Sequence, residues 1–182
     1  MSGCERDGLV AMLATHVPAD EEERGDLERM RGYAVSLESP CSREQAEAHF
    51  TASAIVVDEA GERTMLIHHR KSGMWFQPGG HIEASDRSPA EAALREAREE
   101  TGLQVRLARP ELCDTDVHWI PWDEHWHLDL RFLVIAGGTV SADAAEVHAA
   151  EWVTWDDAFA RIEESALVRA LTKARAAVAT PR

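Results

Sequence analysis

The sequence predicts a layered α/β domain, in which a β-sheet is covered by helices and preceded by a helical extension. Three observations predict it. Apolar runs rich in β-branched residues, with strand periodicity, concentrate in the middle of the 182-residue chain. Helical periodicity marks both ends and one central stretch that follows a Pro-Gly-Gly turn. The 45% hydrophobic content is ordinary for a globular chain and suffices for one sizeable core.

The elements follow in order. Residues 6–16 and 20–37 read as helices; in the second, Leu27, Met30, Tyr33, Ala34 and Leu37 recur at helical spacing behind an acidic start. "SPCSRE" ends that pattern. The stretch "HFTASAIVVDEAGERTMLIHHR" reads as strand, glycine turn, strand, and "KSGMWFQPGG" as a turn with a short strand at 74–77. Next comes a helix with readable ends. Ser88 caps it, Pro89 suits the first helical position, Glu91 completes a capping box and Gly102 stops it. Its packing face is Ala90, Ala93, Leu94 and Ala97, so it should lie close to a sheet; Glu96, Glu99 and Glu100 form an acidic edge beside that face. "LQVRLARPELC" reads as a strand, "DTDVHWI" and "HWHLDLRFLVIA" as a hairpin around "PWDE", and "EVHAAEWVTW" as a further strand. "DDAFARI" opens a helix and "ESALVRALTKARAAVA" forms an amphipathic C-terminal one. The expected division is an N-terminal helical extension, 1–45, and a main domain, 46–182. The order of strands in the sheet does not follow from these patterns.

The formal charge of −14 argues against a nucleic-acid polymer or an anionic membrane as the main partner, because both attract basic surfaces. A small phosphorylated ligand remains compatible if cations are concentrated locally. Cys4, Cys41 and Cys113 are odd in number and widely spaced, so the expectation is reduced thiols in a cytoplasmic protein. The first residues lack the basic leader of a signal peptide, and no run approaches the length of a membrane span.

Three glutamates at spacings of three and four on one helix repel by roughly 0.2–0.5 kcal/mol per pair, so something should offset the repulsion. A solvated, salt-bridged helix is one explanation. Hard divalent cations are the other, since Mg²⁺ prefers carboxylate oxygens from a rigid element. The two glycines of the preceding "PGG" would let backbone approach a ligand, and Arg95 and Arg98 could orient the carboxylates. The stretch "GGHIEASDRSPAEAALREAREETGL" resembles the Nudix box, G-x5-E-x7-R-E-U-x-E-E-x-G-U with U aliphatic. Gly80 supplies the first glycine and "REAREETGL" fits the second half, with Ala97 a small choice for U. Two departures stand out: Asp86 replaces the expected Glu, and one extra residue lies between it and Arg95. The resemblance extends over residues 49 to 160, through "HFTASAIVVD", "LIHHRKSGMWFQPGGHIE" and the H-x-D of "HWHLDLRF".

The resemblance implies an α/β/α sandwich with a mixed sheet, and Mg²⁺- or Mn²⁺-dependent hydrolysis of a diphosphate linked to another moiety. It implies Glu96, Glu99 and Glu100 as metal ligands joined by the Gly79 carbonyl, with Arg95 orienting them. It implies a general base in a loop after the box; Glu146 stands in that region, and Glu96 and Glu99 are its rivals. Homodimers are common in the family. The implied substrate is a small diphosphate, nucleotide in type. The alternatives are a prenyl or sugar diphosphate, or a non-catalytic ligand sensor on the same fold.

Substrate contacts are expected from two segments. "HHRK", residues 68–71, is the densest basic run, and His68 and Arg70 share a strand face, with Trp75 following. In "HWHLDLR", His125, His127, Asp129 and Arg131 share one face and Trp126, Leu128 and Leu130 the other. The first row suits the cleft, joined by His118; Trp119 or Trp122 could stack on a base. H-x-H also has transition-metal spacing, with His118 as a third ligand.

Overall fold

The computed structural model describes residues 6–121, 124–141 and 147–179. Two helices come first, α1 (Arg6–Thr15) and α2 (Glu21–Ser36). Four strands follow: β1 (Ala48–Asp58), β2 (Arg63–His69), β3 (Trp75–Phe76) and β4 (Gly79–His81). The central helix α3 spans Pro89–Thr101. After it come β5 (Gln104–Ile120), β6 (His125–Gly137), β7 (Val147–Thr154), α4 (Trp155–Arg161) and α5 (Ser165–Ala179). Among the described residues no helix is long and apolar enough to cross a membrane.

The strands form one mixed sheet in the order β3-β2-β1-β6-β5; β4 also pairs with β1, and β7 with β2. The pair β1–β6 is parallel and the rest are antiparallel. Every residue of β1 is buried, as expected of a strand covered on both faces. Its alternation divides the core. Ala48, Phe50, Ala52, Ala54 and Val56 join an apolar cluster with residues of α1, α2 and α3. Ile55 and Val57 join a second cluster with α4 and α5. That second face carries His49, Thr51 and Ser53 at its start, so one face of one strand is polar at one end and apolar at the other.

Helix α3 has the ends its sequence predicts. Ser88 Oγ accepts the Glu91 N–H at 3.2 Å, and Gly102 takes the left-handed conformation at φ 71° that favours glycine. Ala92, Ala93 and Ala97 are fully buried, and side chains this small bring the helix close to the sheet.

Two expectations are corrected. The strand "LQVRLARPELC" and the strand "DTDVHWI" are one 17-residue strand, β5, whose register against β6 slips between Leu107 and Asp114. Pro110 lies in that slip: it has no N–H for the ladder, so the strand bulges there instead of ending. Cys41 is disulfide-bonded, so the thiols are not all reduced. Disulfides depend on proximity in the fold, which wide sequence spacing conceals. Cys113 is buried and free; Cys4 lies outside the described residues.

The first two helices are tied to the last one by a buried ionic cluster. Glu23 of α2 is fully buried, and its carboxylate accepts hydrogen bonds from His16 Nε2 (2.7 Å), Ala19 N (2.6 Å), Thr115 N (3.2 Å) and Lys173 Nζ of α5 (2.6 Å). Burial alone would raise its pKa, but the bonds from His16, Lys173 and Ala19 outweigh burial and hold it well below the usual carboxylate range.

Candidate active site

Close packing of α3 on β1 brings the acidic edge of the helix to β4. Glu100 is buried, and its Oε2 accepts the Gly79 N–H at 2.9 Å. A Cβ on Gly80 would lie 2.7 Å from the Glu96 carboxyl carbon, and one on Gly79 would collide with Ser53. Gly79 is therefore required by close approach, as the "PGG" reading expects, whereas at Gly80 the neighbour is the end of a flexible side chain.

Arg95 is the hub of this cluster. Its Nη1 donates to Glu96 Oε1 and to Glu99 Oε2, each at 2.9 Å. Its Nε and Nη2 grip both oxygens of Asp86, at 3.1 and 3.0 Å, and Nη2 also reaches the His81 carbonyl at 2.8 Å. Asp86, almost fully buried, also accepts the Glu83 N–H at 2.8 Å. The shorter acid at position 86 thus clamps the arginine through a bidentate pair, and the extra residue is absorbed in the loop. Burial would lower the Arg95 pKa, but Asp86 and Glu96 outweigh it and raise it above its ordinary value. Part of the glutamate repulsion is thereby offset by a fixed cation. The three carboxylates remain a set of hard oxygen donors on one rigid helix, and these residues fit a divalent cation such as Mg²⁺.

Behind β4, the polar end of the β1 face joins a polar face of β5 and β6. Asp129 accepts from Thr51 Oγ1 (3.2 Å), Ser53 Oγ (2.7 Å), Gln77 Nε2 (3.3 Å) and Arg131 Nε (3.1 Å). Arg131, 1% exposed, also donates to Asp116 at 2.7 Å and Asp114 at 3.3 Å. His118 Nδ1 lies 2.8 Å from Asp116 Oδ2. Burial would raise the Asp116 pKa, but Arg131 and His118 overcome it and hold it at about 2. Burial likewise opposes protonation of His118, but its bond to Asp116 raises its pKa.

Five imidazoles crowd this face. His49 lies across from His127 in the parallel register of β1 and β6, with ring centroids 4.9 Å apart. The ring of His125 is 4.5 Å from that of His49 and 5.1 Å from that of His127. His81 stands 5.0 Å from His49 and 5.3 Å from His127, and His118 is 5.5 Å from His127. Burial, and then the charge of its neighbours, drives the His127 pKa down to about 2, which leaves that ring neutral at neutral pH.

The structure brings together some expected residues and separates others. Arg95, Glu96, Glu99, Glu100 and Gly79 converge. His118, His127 and Asp129 share the polar face, although Asp129 spends its oxygens on neighbouring side chains. His68 and Trp75 belong to a different group: their rings are 5.0 Å apart, His68 Nε2 donates to the Gly73 carbonyl at 2.9 Å, and the Arg161 guanidinium lies 5.0 Å over Trp75. Arg70 is exposed beyond the end of β2. Trp119 pairs edge-on with Trp126 at 5.3 Å, opposite it in the β5–β6 register and on the other face from His118 and His127. Glu146 and Trp122 lie outside the described residues. Sequence reasoning missed His49, His81, Gln77 and the clamp at Asp86. The alternation His49, Thr51, Ser53 in a strand that otherwise reads apolar was the signal for the first.

Known proteins resemble this chain in sequence and in fold. A model of the NUDIX domain matches residues 47–173. A Lactococcus lactis subsp. cremoris protein named probable DHNTP pyrophosphohydrolase is 32% identical over 94 residues, which cover 48% of this chain and 54% of that protein. A Bacillus subtilis protein named putative 8-oxo-dGTP diphosphatase is 31% identical over 110 residues, 57% of this chain and 64% of that one. The chain thus spans between half and two thirds of the length of these two relatives. Among solved structures, a hydrolase of the NUDIX family from Clostridium perfringens superposes with a TM-score of 0.61 at 27% identity, over 71% of this chain and 97% of that one. A C. elegans Ap4A hydrolase shares the fold, with a TM-score of 0.59 at 19% identity over 71% of this chain and 97% of its own.

Proposed function

The chain belongs to the Nudix family, and on that premise we propose that it hydrolyses the phosphoanhydride of a small nucleotide diphosphate or triphosphate with the help of Mg²⁺ or Mn²⁺. The observation that carries this reading is the convergence of Glu96, Glu99 and Glu100 on β4 around Arg95. These carboxylates and the Gly79 carbonyl would hold the cation; bound there, it neutralises charge building on the phosphate oxygens and makes water easier to deprotonate.

The chain's own groups have separate tasks. Arg95 fixes the rotamers of Glu96 and Glu99, so that little reorganisation is left when substrate arrives. Gly80 lets the β4 backbone approach the carboxylates. A carboxylate accepts the proton of the attacking water; Glu146, by its place in the sequence, is the assigned base, with Glu96 and Glu99 the other candidates. His118 on the polar face donates or accepts hydrogen bonds to the moiety beyond the phosphates, and Asp129 positions Ser53 and Gln77. The names of the two bacterial relatives support a nucleotide with a polyphosphate chain.

The test is a screen of nucleoside triphosphates, dinucleoside polyphosphates, ADP-ribose, nucleotide sugars and prenyl diphosphates, with Mg²⁺ or Mn²⁺, reading release of phosphate or pyrophosphate. Metal-dependent turnover of a nucleotide is expected. Turnover confined to prenyl diphosphates would overturn the nucleotide assignment, and full activity in EDTA would overturn the metal assignment.

A further inference from the structure

The geometry points to a second metal site: His49, His125 and His127 bind a borderline transition-metal dication, of which Zn²⁺ is the type, apart from the carboxylates of α3. The three side chains each offer a ring nitrogen, and these nitrogens all lie within 4.8 Å of one another. Two strands hold them. His49 on β1 faces His127 on β6 in parallel register, and His125 precedes His127 by two residues on the same face. His49 is fully buried, and His127 Nε2 is buried with no hydrogen-bond partner among the described residues. An aromatic stack does not satisfy a ring nitrogen; a metal ion does.

The donor chemistry selects the ion. Neutral imidazole suits Zn²⁺, Cu²⁺, Ni²⁺ and Fe²⁺, whereas Mg²⁺ and Mn²⁺ favour the oxygens of the α3 carboxylates. Zn–N bonds of about 2.0–2.1 Å place tetrahedral donors about 3.3 Å apart. Side-chain rotations that move each nitrogen by on the order of 1 Å close the difference, with the strands left in place. Three histidines leave a coordination position for water or an anionic oxygen. His81 walls that space, and its own carbonyl accepts from Arg95, so the ion sits one residue from the carboxylate hub.

The test uses the full chain stripped with EDTA and then held in excess Mg²⁺ to occupy the carboxylates. Zn²⁺ is titrated by calorimetry, and Co²⁺ serves as the spectroscopic probe. One equivalent of Zn²⁺ is expected, with visible ligand-field bands of a nitrogen-ligated, four- or five-coordinate Co²⁺. Glu100→Gln should keep both. His49→Ala and His127→Ala should weaken Zn²⁺ by at least ~100-fold, beyond the 10–100-fold that loss of an outer partner costs. His125→Gln, at a half-buried position, guards against misfolding: with an apo unfolding midpoint equal to wild type, it should show the same loss. No Zn²⁺ bound by wild type in Mg²⁺, full affinity in His125→Gln, or loss of Zn²⁺ in Glu100→Gln would each overturn the site.

Discussion

The carboxylate cluster at α3 and the histidine cluster behind β4 meet at the same three-residue strand, yet they are built in opposite ways. The first is local: Asp86, Arg95, Glu96, Glu99 and Glu100 lie within fifteen residues, and the Arg95 guanidinium links three of the carboxylates. The second is assembled from β1, β4, β5 and β6, by strand register alone. The first is held by charge and faces outward at Glu99; the second is neutral in its centre and rests on the buried pairs of Arg131. The difference separates chemistry from support. Changes in the carboxylates should cost activity, and changes beneath the histidines should cost the fold.

Arg131→Met gives the largest expected effect. It takes their shared cation from Asp116 and Asp129, while Asp114 keeps Arg169, and should cost roughly 4 kcal/mol of stability in urea titration. A loss under about 1 kcal/mol would mean that the floor is not held by this arginine. Glu100→Gln comes next: turnover should fall on the order of 10²–10³-fold, while the unfolding midpoint stays near wild type, because the amide oxygen can still accept the Gly79 N–H. A variant that loses stability instead would erase the contrast.

Asp86→Ala tests the link between the two behaviours. Removing the clamp should cost about 2–3 kcal/mol and also slow turnover, since Arg95 is then free to leave Glu96 and Glu99. Acid tests the floor through Asp116. The Asp116 carboxyl is held at about 2 against an ordinary 3.8, so the folded chain binds fewer protons than the unfolded chain in that interval. Its stabilisation is complete above about 3.8 and is lost as pH falls towards 2. In Asp116→Asn that part of the acid dependence of the unfolding free energy should vanish. Trp119→Ala is the smallest change, about 1 kcal/mol or less, with turnover unaltered, because the ring packs on Trp126 away from the polar face. A large rise in KM would place it in substrate binding after all.

The same contrast explains what the sequence disclosed. Helix α3 carries its cap, its stop, its packing face and its acidic edge within one window, so its ends and its chemistry were legible together. His49 and His81 were not, because their meeting with His127 depends on a parallel pairing of β1 with β6 that no local pattern encodes. The polar alternation of "HFTASA" records only that one face of β1 starts wet. Trp119 shows the limit in the other direction: its residue type suited base stacking, but strand parity assigned it to the opposite face.

The Glu23–Lys173 pair has a consequence in time. Its two halves are 150 residues apart in the chain. At a synthesis rate of ~5–20 residues per second, α2 leaves the ribosome on the order of 10–30 s before its cation exists. Through that interval the carboxylate has only His16 and backbone N–H groups as partners, so the apolar stripe of α2 settles on β5 less favourably until the lysine arrives. The two leading helices are therefore the first part made and among the last to dock, and nascent chains shorter than about 173 residues should leave them accessible to protease.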